Sequence, residues 1–442
     1  MELIRKIFLL SGILFMVHFS FSQESESVGQ LRDYSRRNTP DGYSPHLKVL
    51  VLAPKGNLHY LFPFYHAFRE EEKYKQLYSE KGYYDELSQY FAFAGDYLTA
   101  SQYLEKTYDT LDDASRRKIY RTVAGLKDIV HVDAHRYIHF VARAHQVIMI
   151  NEAYEKPVHR AFAISLLADL YKQGFHYLAM EMLNNFSYHT LNHLTLSTGY
   201  YTAEPVAGEL VREALSLGYK LVSYEDTAAS IHNNNQRDSA QAQNIYSIIQ
   251  QDSAARILVY AEYAHISKKA TADGYVPMGL AFKQISGIDP LTIDQTDMTE
   301  GSNFAYGDVF YQAYLQKYAI KTPSIAMIGN DPVNVTNNDL YDLSIIHPPA
   351  IYQDGRPTWL TLEGRRKPTV IKSTTASAYL AQAYYQDEIE KNENTPWELV
   401  PADQTYIRAG KNFVLYLKNG KYTIIFRDLE YHILNKLLIE VN

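Results

Sequence analysis

Four short apolar runs in the middle of the chain each lead into side chains that can move protons. Val147–Ile150 is followed by Glu152 and Tyr177–Met180 by Glu181. Lys220–Ser223 is closed by Glu225 and Asp226, and Ile257–Ala261 by Glu262 and His265. If these runs are parallel strands, the polar groups gather outside the carboxyl ends of the strands, where open α/β sheets bind their ligands. Glu152 and Glu181 are then expected as close neighbours across adjacent strands. Two carboxylates so placed cannot both ionise cheaply, so one has a raised pKa and can give or take a proton. His159 falls in the first turn of the next helix, from which its ring can reach back over the strand end, and His265 can form the opposite wall. Arg237-Asp238 opens the helix before the last run. Capping explains an Asp there as well as a site role explains Arg237, and both readings stay open. The chemistry open to this set is activation of a water molecule by Glu and His. Its oxygen and nitrogen donors could also ligate a divalent metal. There is no His-Glu-x-x-His or comparable short motif, however, and no metal ligand is assigned.

Composition removes other chemistries. The 442 residues include no cysteine, which excludes disulfides, thiolate zinc sites, cysteine nucleophiles, iron–sulfur clusters and a lipidated N-terminal cysteine. A formal charge of −7 without a basic tract leaves no electrostatic footprint for nucleic acid. Among the 16 histidines, His131, His135 and His139 have the spacing of one helix face, and His189 and His193 repeat it. Metal or haem ligation there competes with the commoner core or surface histidine. The 39 tyrosines read mostly as core and surface filler.

The elements that must position these groups fall into three stretches after a targeting segment. Arg5 and Lys6, the apolar run Ile7–Val17 and the small residues around Ser22 have the order of a secretory signal over residues 1–22. The mature protein is expected to be exported, periplasmic or secreted, with no membrane span. Residues 23–44 read as a loose leader, and Leu47–Leu52 as an isolated strand. The pattern is helical from Leu61 to about Gly125, so residues 23–125 form a leader and a helical region. Within it, Gly95-Asp96-Tyr97 joins two helices in a manner like a single tetratricopeptide unit. Residues 61–125 could present a surface to a protein partner. Residues 126–347 alternate strands with the helices Val158–Tyr171, Ala203–Leu217 and Arg237–Gln250, and Gly174 and Gly218 act as helix stops. Further strands are expected at Leu291–Ile293, Ser324–Ile328 and Leu343–Ile346. This is an α/β domain with a mostly parallel sheet flanked by helices. Residues 348–442 read as a small β-rich extension. There Phe413–Leu417, Asn419-Gly420 and Tyr422–Phe426 predict a hairpin.

Taken in order, Ile150-Asn151-Glu152-Ala153, Pro157-Val158-His159-Arg160 and Gly174-Phe175-His176-Tyr177-Leu178-Ala179-Met180-Glu181 resemble the start of the erythromycin esterase-like and ChaN/Tiki superfamily. Gln236-Arg237-Asp238 through Asn244-Ile245 resembles that superfamily's Arg-Asp helix, Ile257–His265 the strand before its late histidine, and Met278-Gly279 its Met-Gly. The resemblance spans residues 146–347. It implies active-site positions at Glu152, Glu181 and His265, with His159 and Arg160 where the first helix contributes to the site. Asn151 stands where the superfamily has Gly. Tyr154 or Glu155 stands where its first histidine falls, so that His159 would take over as base.

The resulting expectation is an exported hydrolase-like protein that cleaves a small ester-type substrate. Glu152, His159, Glu181 and His265 are its catalytic residues, and Tyr154, Arg160 and Arg237 bind the substrate. The alternatives are a non-catalytic binder of haem or another small ligand in the same pocket, with His159, Tyr154 and His265 as candidate ligands, or an interaction module. No cofactor is required, while haem or a divalent metal stays open.

Overall fold

The central strands are buried from end to end, and their side chains show why. In β2 (Val147–Glu152) every residue is buried. Ile148 and Ile150 enter one apolar core while Val147 and Met149 enter another. A strand apolar on both faces needs helices on both sides, which is the setting of parallel sheets. The computed structural model describes residues 25–38, 57–184, 191, 193–225, 233–302, 308–336, 339–372, 377–392, 398–407 and 411–442. The signal segment 1–22, the strand expected at 47–52, His189 and Asp226 lie outside the described residues.

The main sheet contains β1 (Ile129–Asp133), β2, β3 (Phe175–Met180), β4 (Lys220–Val222), β5 (Arg256–Glu262), β6 (Leu291–Met298), β7 (Ser324–Ile328), β8 (Asp331–Pro332) and β9 (Leu343–Ile346). Its order is β1-β7-β9-β6-β2-β5-β3-β4, with β8 beside β7. From β4 to β9 all pairings are parallel, whereas β7 runs antiparallel to both β9 and β1. The helices Pro157–Lys172, Pro205–Leu217 and Asn234–Gln251 fill the crossovers. Gly218 takes a left-handed φ of 94° at the end of the second of these, where an L side chain would be strained. The mostly parallel α/β sheet, the helical N-terminal region and the small C-terminal sheets match the fold class expected from sequence.

Several local expectations are corrected. Glu152 and Glu181 are not on adjacent strands, because β5 returns to lie between β2 and β3, and Glu152 stands in register with Glu262 instead. The leader contains a helix, Glu26–Arg37, capped by Ser25, with Val28 and Leu31 fully buried. His131, His135 and His139 do not share a helix. His131 lies on β1, and the helix Ala134–Ala142 begins after it.

The C-terminal residues form β10 (Tyr352–Gln353) with β11 (Arg356–Pro357), β12 (Lys367–Lys372) with β15 (Asn412–Leu417), and a sheet of order β14-β13-β16-β17. In that sheet β13 is Leu380–Tyr385, β14 Asp403–Tyr406, β16 Gly420–Arg427 and β17 Ile433–Val441. The strands flanking Asn419-Gly420 exist, but they do not pair as a hairpin. β15 pairs with β12 and β16 with β13 and β17, so the turn is a corner between two sheets. The apolar faces of the two strands meet instead, with Phe413, Leu415 and Leu417 in one core with Tyr422, Ile424 and Phe426.

The N-terminal helices turn their apolar side inward. Phe64, Tyr90 and Phe91 share a single core with Ile148 and Ile150 of the sheet and with Leu380 and Tyr416 of the C-terminal strands. The helices Glu71–Phe93 and Tyr97–Glu105 meet at Gly95, whose φ is +81° and whose missing β-carbon would lie 2.2 Å from the Gln404 carbonyl oxygen. Only glycine fits there. Among the described residues, no helix is long and apolar enough to cross a membrane.

Candidate functional site

The expected site residues separate into two neighbouring clusters. The first is sealed. Arg160, on the helix that follows β2, forks onto both oxygens of Glu152 at 2.8 and 2.9 Å and gives a third hydrogen bond of 3.1 Å to Glu204. Tyr260 donates to Glu152 at 2.8 Å, and Tyr97 of the helical region donates to Glu204 at 2.9 Å. Glu152, Arg160 and Glu204 are each at most 1% exposed. Burial pushes the Glu152 carboxyl up, while the Arg160 guanidinium and the hydrogen bonds pull it down. Glu204 also caps the helix Pro205–Leu217 through the Val206 and Ala207 N–H groups. This is a satisfied ion network, and it joins three parts of the chain.

His159 does reach back over the strand end, where its Nδ1 accepts from the Ala153 N–H at 3.0 Å. The ring has no exposure, and Nε2 has no hydrogen-bond partner among the described residues. Its ring centroid lies 5.3 Å from that of His347. Burial, then the neighbouring His347, Lys156 and Arg160, hold its pKa well below the usual range, so the ring is neutral. The general base expected at His159 is thus a core imidazole closed off from water. Tyr154 donates to Asp85 at 3.2 Å and packs against Tyr201 and Tyr263.

The second cluster is open to solvent. His265 sits in the short helical turn after β5. Its Nδ1 lies 3.0 and 3.1 Å from the two carboxylate oxygens of Asp238, and its Nε2 lies 3.4 Å from an Arg237 nitrogen and 3.9 Å from Glu181. Arg237 donates to Glu181 at 2.5 Å and to Glu225 at 3.0 Å. Glu181 in turn accepts from the Glu262 N–H at 2.9 Å. Burial works against a charged His265, but the hydrogen bond to Asp238 and the charge of Glu181 outweigh it, and its pKa is raised. Strand-end Glu181, His265 and Arg237 are therefore brought together as expected, while Glu152, His159 and Arg160 lie in the sealed cluster.

Three contributors are named in the strand-end and helix-start pattern of the sequence but carry no assigned site role there. Asp238 is not a cap. Asn233 caps that helix by accepting from the Gln236 N–H, while Asp238, with no exposure, accepts from His265, the Tyr275 hydroxyl and the Met278 N–H. The Met278-Gly279 pair was the available signal, because it places a helix start against that carboxylate. Glu225 holds Arg237. Glu262 lies half-buried between the two clusters, and its carboxyl makes no hydrogen bond or ion pair with a described residue. Burial, then the charges of Glu181 and Glu152, raise its pKa to about 8.

Neither metal nor haem fits this donor set. The Arg237 guanidinium occupies the space between Glu181 and Glu225 and would repel a cation. Among the described residues no three His, Asp or Glu side chains cluster as metal ligands. Tyr154 is engaged by Asp85, and His159 is enclosed.

No family profile and no curated protein matches the sequence. Among solved structures, the type III effector HopBA1 is 13% identical, with a TM-score of 0.29, and the match covers 48% of this chain and 93% of that one. RRSP, a MARTX toxin effector domain from Vibrio vulnificus CMCP6, is 13% identical with a TM-score of 0.29, over 51% of this chain and 46% of that one. The C-terminal region of Pasteurella multocida toxin is 10% identical with a TM-score of 0.27, over 96% and 67%.

Proposed function

We propose that the open cluster is an acid–base site that hydrolyses a small ester-type substrate, in an exported protein related to the erythromycin esterase-like and ChaN superfamily. The observation that carries this reading is the Asp238–His265 pair. A buried carboxylate fixes Nδ1 as the donor, which leaves Nε2 as the basic nitrogen facing Glu181 and Arg237. His265 takes the proton of an attacking water. Arg237 stabilises the oxyanion that develops on the former carbonyl oxygen. Glu262, which keeps its proton near neutrality, donates it to the departing alkoxide.

The test is hydrolysis of a panel of small p-nitrophenyl esters by the full chain and by His265→Ala and Asp238→Asn. Wild-type turnover that falls by about 10²–10⁴-fold in both variants is the expected result. Turnover unchanged in both would overturn the mechanism. Absence of wild-type turnover, with a small-molecule ligand still retained, would favour the binding-protein alternative.

A further inference from the structure

The order of the sheet contains a switch point away from His265. The chain runs from β2 outward through β3 and β4, returns at β5, and then crosses to the other side of β2 to lay down β6. Crevices outside the carboxyl ends of strands at such reversals are where open α/β sheets hold ligands. A chamber of about 290 Å³ lies there. Its floor includes Ala153, Glu155 and Lys156, which follow β2, and Thr299 and Gly301, which follow β6. Asp85 and Leu104 of the N-terminal helices roof it.

Lys156 is the unusual group on this wall. It is 8% exposed, donates to the Glu300 carbonyl oxygen at 2.6 Å, and makes no ion pair with a described residue. Gly301, at φ +63°, stands beside the amine, and a β-carbon there would come within 2.7 Å of Nζ. The glycine therefore keeps that approach open. The neighbouring Glu155 is 8% exposed, and its carboxyl accepts from the Tyr263 hydroxyl at 2.5 and 2.6 Å.

We propose that Lys156 is a nucleophilic amine that captures a small aldehyde or ketone in this chamber as an imine. Nζ adds to the carbonyl carbon as the C=O π bond breaks, and one proton passes from the nitrogen to the resulting alkoxide oxygen to give a neutral carbinolamine. Glu155 protonates the departing hydroxyl, which leaves as water, and the nitrogen lone pair closes the C=N bond. Loss of the remaining N–H proton to the Glu155 carboxylate completes the exchange of carbonyl oxygen for nitrogen. No oxidant or reductant is needed. Burial lowers the Lys156 pKa against the pull of Glu155 and Glu300, which favours the free amine, and burial raises that of Glu155, which favours the acid.

The test is reductive trapping of the full chain with acetaldehyde and cyanoborohydride at about pH 6, where ordinary lysines are almost wholly protonated. Ethylation is then read residue by residue by peptide mass mapping. Lys156 is expected to react at least about tenfold faster than exposed Lys172 and Lys269, as a desolvated amine in a closed pocket does relative to solvated ones. Thr299→Leu, which fills the chamber, should slow Lys156 and leave Lys172 unchanged. Labelling of Lys156 no faster than that of the exposed lysines, or unaffected by Thr299→Leu, would overturn the proposal. The readout does not depend on ester hydrolysis, so it stands apart from the His265 mechanism.

Discussion

Asp238 holds the His265 ring by Nδ1 at 3.0 and 3.1 Å from a position with no solvent exposure, and it takes two further hydrogen bonds from Tyr275 and Met278. A carboxylate with that many donors is fixed in place, and so is the imidazole that leans on it. Asp238→Asn presents an amide N–H₂ where only acceptors are wanted. The expected result is a loss of about 1–3 kcal/mol of stability, measured by urea unfolding, with the larger effect on turnover rather than on KM.

The raised pKa of His265 also has a stability signature. A histidine that binds its proton more tightly when folded stabilises the fold fully below the unfolded value of about 6.5, and the contribution is lost as pH rises through the folded pKa. His265→Gln should therefore close its stability gap to wild type on going from acid to alkaline pH. A gap that widens would contradict the assigned direction.

Glu262 makes the same kind of prediction at a carboxyl. Its folded pKa of about 8 lies above the ordinary 4.5, so folding takes up a proton between those values and stability falls as pH rises through that window. Glu262→Gln removes this burden. Thermal melts should show the variant gaining on wild type from about pH 4.5 to 8 and holding a constant advantage above.

Arg160→Ala should be among the most damaging single changes in the protein. It strands the Glu152 and Glu204 carboxylates, both at most 1% exposed, at a cost of about 3–5 kcal/mol. A shift in the urea midpoint checks it, and a loss below about 1 kcal/mol would show that water reaches the network.

Gly95→Ala tests the packing of the helical hairpin on the C-terminal sheet. A left-handed φ of +81° and a 2.2 Å approach to the Gln404 carbonyl oxygen predict a loss of about 1–3 kcal/mol or more. Gly125→Ala, where an added β-carbon meets nothing within 4 Å and φ is not left-handed, serves as the control for a change of backbone entropy alone.

Much of this architecture was legible in the sequence, and the failures have physical causes. β2, β3 and β5 showed as apolar runs because both their faces are buried, and β7 and β9 were placed at their observed limits. Pairing partners were less accessible. The Asn419-Gly420 turn has the local chemistry of a hairpin, yet tertiary packing of the Phe413 and Phe426 faces sends its strands to different sheets. The return of β5 between β2 and β3 leaves no mark on any single residue, and it is what removed Glu152 from the side of Glu181. The residue types of the site were readable at Glu181, Arg237 and His265. Asp238 was hidden because an acid near a helix start has an ordinary explanation, and only the incoming Met278 N–H and Tyr275 hydroxyl show that it faces inward.

The hydrogen bonds from Tyr97 and Arg160 to Glu204 bear on how this chain can be inherited and recombined. A phenol from the helical hairpin, a guanidinium from the strand-end helix and a carboxylate that starts a third element meet with no solvent between them. Homologues that replace one of the three should carry compensating replacements at the others. The hairpin is thus poorly suited to exchange as a cassette between proteins, and a chimera joined near residue 126 should misassemble unless positions 97, 160 and 204 come from the same parent.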